Sequence, residues 1–124
     1  MSDGGVSQLL TVSQRHEGDT VVVAAEGEID ITSAPQLSAA LEAVGAGVTA
    51  PIVDLSGVDF MGSVGLSVLL AASEKLKAAQ ADAGQLRVVV SPQVRRPLEV
   101  TGLDKVLALF DSLDQALTAG PGTV

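Results

Sequence analysis

Apolar residues fall in short runs whose spacing switches between that of a strand and that of a helix. "LLTVSQ" (9–14) is partly alternating and rich in strand formers, "HEGDT" (16–20) holds a Gly-Asp turn signal, and "TVVVAAEG" (20–27) is a continuous β-branched run. Together they predict a hairpin whose second strand is buried. "ITSAPQLSAALEAVGAG" (31–47) predicts a helix, with Leu37, Leu41 and Val44 on one face. Ser33 and Gln36 have capping-box spacing, Pro35 falls in the first turn, and Gly45 and Gly47 end the helix. "PIVDLSGV" (51–58) reads as a strand with Pro51 at its beginning. After "DFMGSVGL" (59–66) a long helix follows, with Leu66, Leu69, Leu70, Ser73 and Leu76 turned to the sheet and Gly84 as its stop. "LRVVVS" (86–91) is a buried strand, and "PQVRRPLEVTGL" (92–103) a short helix with Pro97 near its start and Gly102 at its end. "VLALF" (106–110) is a last short strand, and "SLDQALTA" (112–119) a helix with Ser112 and Gln115 as a second capping box.

The resulting order is ββαβαβαβα, an α/β arrangement in which a small mixed sheet of four to five strands carries packed helices, joined mostly by right-handed crossovers. No internal repeat and no linker long enough for a second domain is visible. Residues 9–118 are expected to form a single domain, with a loose N-terminus at 1–8 and a flexible tail at 119–124.

Composition narrows the function. The 124 residues are 47% hydrophobic but only 2% aromatic, so the core must be built from Val, Leu, Ile and Ala. A formal net charge of −8 argues against binding nucleic acid, which needs Lys and Arg against phosphate. The chain has no cysteine, which excludes disulfides and thiolate metal sites. No apolar run approaches the roughly 20 residues of a membrane helix, and "MSDGGVSQ" lacks the features of a secretory signal. A cytoplasmic protein without membrane or nucleic-acid partners is expected.

The inventory for catalysis is thin. His16, the single histidine, is placed in the hairpin turn and reads as a surface residue. "GSVGL" is not the nucleophile-elbow pattern, and neither a Walker A lysine nor a G-x-G-x-x-G turn is present. Glu26, Glu28, Asp30, Asp54 and Asp59 are placed at strand ends and in the loops after them. They are either solvated loop acids or, for Asp30 and Asp59, neighbours of Ser63 on the rim where α/β sheets gather their sites. Arg95 and Arg96 are either solvated or in contact with a partner or anion. Ser63 follows a strand and begins a helix. Its plain role is N-cap, and its alternative role is a modification site. A helix N-terminus tolerates negative charge, and a phosphate would add about −1.5 to −2 charges to an acidic rim without unfolding the domain. The small neighbours Gly62, Val64 and Gly65 leave the hydroxyl open to another protein's active site.

Three segments carry a family resemblance: "GEIDITSAPQL" (27–37), "IVDLSGVDFMGSVGLSVLL" (52–70) and "VRRPLEVTGLDKVLALFDSLDQAL" (94–117). They resemble the STAS-domain anti-sigma factor antagonists of bacteria, and in particular the actinobacterial members with F-x-G-S-V-G-L. The resemblance implies the STAS fold and an adaptor that is not an enzyme and needs no cofactor. It implies a partner, an anti-sigma factor of the GHKL ATPase-like serine kinase type, which then releases its sigma factor. It further implies that the kinase phosphorylates Ser63 and breaks the complex, and that a PP2C-type phosphatase resets it. The partner surface implied is Asp30, Thr32, Asp59, Gly62, Ser63, Val64, Gly65 and Arg95. This chain departs from the family's D-S-[ST/A]-G-L in having Gly62 for the acid and Val64 for the next small residue. The alternative role within the family is a STAS subunit of a lipid or anion transporter, regulating it by protein binding.

Overall fold

The computed structural model describes residues 10–18, 20–44, 51–79 and 85–119. The chain forms β1 (Leu10–Glu17), β2 (Thr20–Ile29), α1 (Ala34–Val44), β3 (Ile52–Met61), α2 (Ser63–Ala79), β4 (Leu86–Val90), α3 (Pro92–Val100), a 3-10 turn at Leu103–Lys105, β5 (Leu107–Phe110) and α4 (Leu113–Ala119). The order is the ββαβαβαβα expected. The five strands lie side by side in chain order. β1 and β2 are antiparallel, and each later neighbour is parallel. Each parallel pair needs a crossover, and the helices supply it.

The sheet has two covered faces. On one, Val21, Val23, Val53, Leu55 and Val88 meet Leu37 of α1, Leu69 and Leu76 of α2, and Val94 and Leu98 of α3. On the other, Val22, Ile52 and Val89 meet Ala116 of α4, with Phe110, Leu113 and Leu117 packed around them. Burial on both faces explains why the apolar runs "VVVAA" (21–25) and "LRVVV" (86–90) do not alternate with polar residues. Arg87 interrupts that second run. It is almost fully buried, its Nη1 donates to the Ala116 carbonyl at 2.8 Å, and burial lowers its pKa.

Several boundaries differ from the sequence expectations. β1 continues to Glu17, so His16 is not in the turn but pairs with Val21 as an exposed strand residue. β2 runs two residues and β3 three residues past the predicted ends at 27 and 58. Glu28 and Asp59 therefore lie within strands, as Glu26 and Asp54 do inside the expected bounds, and only Asp30 follows one. On α2 the stripe holds at Leu69, Ser73 and Leu76, but Leu70 is exposed, because it lies about 100° of helix rotation beyond Leu69. α3 begins at Pro92 and stops at Val100, which puts Pro97 in its interior instead of near its start. Its cap is Ser91, whose Oγ accepts the Val94 N–H at 3.3 Å and donates to the Val58 carbonyl at 2.8 Å. Ala119 closes α4 and is not part of a tail. The expected stops at Gly45, Gly47 and Gly84 and the loose segments 1–8 and 120–124 lie outside the described residues.

Replacing Arg87 by Ala should remove the donor to the Ala116 carbonyl and open a void under α4. The expected loss is at least about 1–3 kcal/mol. Urea denaturation followed by circular dichroism measures it, and an unchanged midpoint would mean that α4 is held without Arg87.

Candidate functional site

The site is built where β2 and β3 end together. Between the pairs Ala24–Asp54 and Ile29–Met61 the two strands advance by different lengths, with register shifts on either side of Glu26 and Gly27. Gly27 absorbs part of this irregularity at φ 111°, a conformation that L side chains rarely adopt. Asp54 stabilises the bulged stretch by accepting from Ser56 N–H at 3.0 Å and Ser56 Oγ at 2.7 Å. A bulge re-aims the side chains that follow it. As a result Asp59 and Phe60 are both exposed, while Val58 and Met61 on either side of them are buried.

The chain leaves β2 through Asp30, which organises the turn into α1. Its Oδ1 accepts from Thr32 N–H at 2.9 Å, Thr32 Oγ1 at 2.8 Å and Ser33 N–H at 3.0 Å. Its carbonyl accepts the Ala34 N–H at 2.8 Å, so Asp30 performs the work of an N-cap. Ser33, the expected N-cap, instead donates from Oγ to the Glu28 carbonyl at 2.8 Å and accepts the Asp30 N–H at 2.9 Å. Gln36 does not close a capping box, since its side chain reaches the Leu10 carbonyl at 3.4 Å. The box at the other end of the chain does form in part. Ser112 Oγ accepts the Gln115 N–H at 3.2 Å, and Gln115 reaches back to the N–H of Asp111. The Thr32 hydroxyl first, and the Ser33 N–H after it, hold the Asp30 carboxyl below the usual carboxylate range.

The chain leaves β3 through Gly62, whose N–H donates to the Ile29 carbonyl at 2.9 Å. That bond fastens the ends of β2 and β3 to each other. α2 then begins with Ser63 itself. Ser63 is therefore not the cap. Gly62 occupies the preceding position, and its carbonyl accepts the Gly65 N–H at 3.0 Å. The Ser63 side chain is exposed, and no described residue hydrogen-bonds to its hydroxyl. The first turn of α2 holds no acidic residue, so its free N–H groups face no negative charge from their own helix.

The neighbouring glycines differ. The nearest neighbours of a Cβ on Gly62 would be the Phe60 ring at 3.6 Å and the Ile29 carbonyl oxygen at 3.7 Å, both ordinary contacts. A Cβ on Gly65 would come within 2.6 Å of Met61 Cγ and 2.9 Å of Ile29 Cγ2. Gly65 is buried and lets α2 close onto the strand ends, so its place is inside the fold and not on the accessible rim.

Among the expected site residues, Asp30 and Thr32 on the β2–α1 turn and Asp59, Gly62, Ser63 and Val64 at the β3–α2 junction share one rim. Arg95 is elsewhere, in α3 after β4. Its Nη2 donates to Asp111 Oδ1 at 2.7 Å and its Nη1 lies 3.7 Å from Glu99, so it is engaged within the chain. Two exposed apolar residues on the rim were missed in the sequence, Ile31 at 79% and Phe60 at 52% exposure. Their signal was a large apolar residue directly after an acid, in "DI" and "DF", just where the strand periodicity lapses. Among the described residues, no group of three His, Asp or Glu side chains could hold a metal ion, and no helix is long and apolar enough to cross a membrane.

Residues 11–116 match the family described as the STAS domain. The anti-sigma-F factor antagonist RsfB of Mycobacterium tuberculosis is 40% identical over 115 residues, covering 91% of each chain. The crystal structure of an anti-sigma factor antagonist from Mycobacterium paratuberculosis superposes with a TM-score of 0.80 at 41% identity, covering 92% of this chain and 96% of that one. The unphosphorylated form of the antagonist SpoIIAA shares the fold, with a TM-score of 0.67 at 23% identity over 86% of this chain and 93% of its own.

Gly62→Ala should stay within about 1 kcal/mol of the parent protein. Gly65→Ala should lose roughly 1–3 kcal/mol to overpacking, offset in part by about 1 kcal/mol of helix propensity. Chemical denaturation ranks them, and equal midpoints would mean that Met61 and Ile29 yield freely. Asp30 has a lowered folded-state pKa, so the charge contributes stability above its unfolded value of about 3.9 and loses it as pH falls through the lower folded value. Asp30→Asn keeps an acceptor but removes the charge. Its deficit against the parent should be constant near neutral pH and shrink below about pH 4, as thermal melts at several pH values would record.

Proposed function

The chain belongs to the STAS domain family, and from that premise we propose that it is an anti-sigma factor antagonist, a binding protein and not an enzyme. It occupies an anti-sigma factor and so frees a sigma factor for transcription. The support is the 40% identity to RsfB, which is named for that role, over nearly the whole of both chains. We take the chain from residue 9 to Ala119, where α4 closes, as its one domain and the cytoplasm as its place of action.

The proposed switch is phosphorylation of Ser63 by a partner of the GHKL ATPase-like serine kinase type. The observation that carries this reading is the exposed Ser63 hydroxyl at the first position of α2, without a hydrogen-bond partner among the described residues. The γ-phosphoryl group of ATP passes to Ser63 Oγ, ADP leaves, and the hydroxyl proton is lost. The product places about −1.5 to −2 charges beside Asp30 and Asp59. The free N–H groups of α2 lie close enough to stabilise that charge, so the domain stays folded while its surface changes. A PP2C-type phosphatase reverses the step by hydrolysis. Gly62 supplies no acid next to the acceptor, so recognition of the site rests on other features of the rim. The partner surface is then Asp30, Thr32, Asp59, Gly62, Ser63 and Val64.

Intact-mass spectrometry after incubation with a candidate anti-sigma kinase and Mg-ATP tests this. One phosphate is expected on the parent protein and none on Ser63→Ala, which should keep its fold and its partner, because the hydroxyl caps nothing. Ser63→Glu should bind the kinase more weakly. Absence of both phosphate and complex would favour the transporter-subunit role instead.

A further inference from the structure

The chain has two phenylalanines. Phe110 packs beneath α4, where a large ring in a small aliphatic protein is expected. Phe60 does not. It stands half exposed at the end of β3, and Ile31, the most exposed large apolar residue among those described, stands on the adjoining turn after β2. The two strand ends are pinned together by the Gly62–Ile29 hydrogen bond. The tip of the Phe60 ring lies over Gly62, at 3.6 Å from where a Cβ would be, which sets the ring immediately before Ser63. Glu28 is the cross-strand partner of Phe60, Asp30 and Asp59 directly precede Ile31 and Phe60 in the chain, and no ion pair among the described residues involves any of the three.

We propose that Phe60 and Ile31 are the apolar anchors of the Ser63 surface, and that the partner's matching surface is an apolar pocket ringed by Lys and Arg. The inference rests on the antagonist reading above and adds the chemistry of recognition. An aromatic anchor desolvated at the centre of an interface supplies a large share of affinity, while the carboxylates around it steer a basic partner and set the salt dependence. The bare backbone at Gly62 gives the ring its seat. Phosphorylation of Ser63 puts a hydrated dianion beside the anchor, which opposes both the desolvation of the ring and the fit of the pocket.

The test is calorimetric titration of the parent protein, Phe60→Ala, Ile31→Ala and Val100→Ala with the anti-sigma kinase used in the phosphorylation assay. Val100 is equally exposed, at 77%, but α3 leads away from the carboxyl ends of the strands, so it serves as the control. Circular dichroism verifies each fold. Phe60→Ala should weaken Kd by about tenfold or more, Ile31→Ala by a smaller factor, and Val100→Ala not at all. Raising salt should weaken the parent complex further. A folded Phe60→Ala that binds within twofold of the parent overturns the anchor and leaves the antagonist reading intact. A parent protein that binds no anti-sigma kinase overturns both. Sedimentation closes the remaining case: a dimeric parent and a monomeric Phe60→Ala would assign the surface to a second copy of the chain and overturn the proposal.

Discussion

The hydrogen bond from Gly62 N–H to the Ile29 carbonyl is the joint on which the rim depends. It extends the pairing of β2 and β3 one step beyond Ile29 and Met61, at the point where both chains turn off into helices. Below it, Ile29 and Met61 are buried against Gly65, so α2 can approach only because that position has no side chain. Above it, Asp30 and Ser63 are carried on neighbouring strand ends. Two segments more than 30 residues apart in sequence are thereby held on one surface by backbone geometry alone.

The residues near this joint divide into two groups. Ser33, Gly65, Ile29 and Met61 are buried and hold the turns in place. Ile31, Thr32, Asp59, Phe60 and Ser63 are exposed. The register shifts in β2 and β3 create that division, because without them strict alternation would bury one of Asp59 and Phe60. A surface built in this way can change in charge or contact without disturbing the core, which is what a reversible modification at Ser63 requires.

The fold was legible because burial imposes periodicity. The runs around Val21–Val23, Val53–Leu55 and Val88–Val90 and the helical stripe through Leu69, Ser73 and Leu76 are direct records of it. Legibility failed where local hydrogen bonds compete with pattern. Ser33 has cap spacing with Gln36, yet the Asp30 carboxylate takes the cap, since an ionised acceptor with several donors in reach wins over a hydroxyl. β3 was cut short at residue 58 because a bulge interrupts the period that identifies a strand. Arg87 was hidden inside a valine run, and only the position of α4 explains a buried guanidinium there. The rim chemistry of Ser63, Asp30 and Thr32 was reached through motif resemblance. Phe60 and Ile31 have no periodic pattern to reveal them, and no local pattern pairs Arg95 with Asp111, which the fold brings beside it.

Gly62 and Gly65 make the last distinction. Both read in sequence as small residues that clear space around a hydroxyl. Only Gly65 is required by packing, because its missing Cβ is filled by Met61 and Ile29. Gly62 has room for a Cβ and needs no left-handed backbone, so the backbone itself does not demand glycine there. The Phe60 ring lies against this position, and an acid there would have added charge directly before Ser63. The chain has an uncharged, ring-covered position at that point, so recognition beside the serine relies more on apolar contact and less on adjacent charge. The carboxylates of the rim, Glu28, Asp30 and Asp59, belong to the strand ends and the β2–α1 turn and not to the position next to the acceptor in sequence.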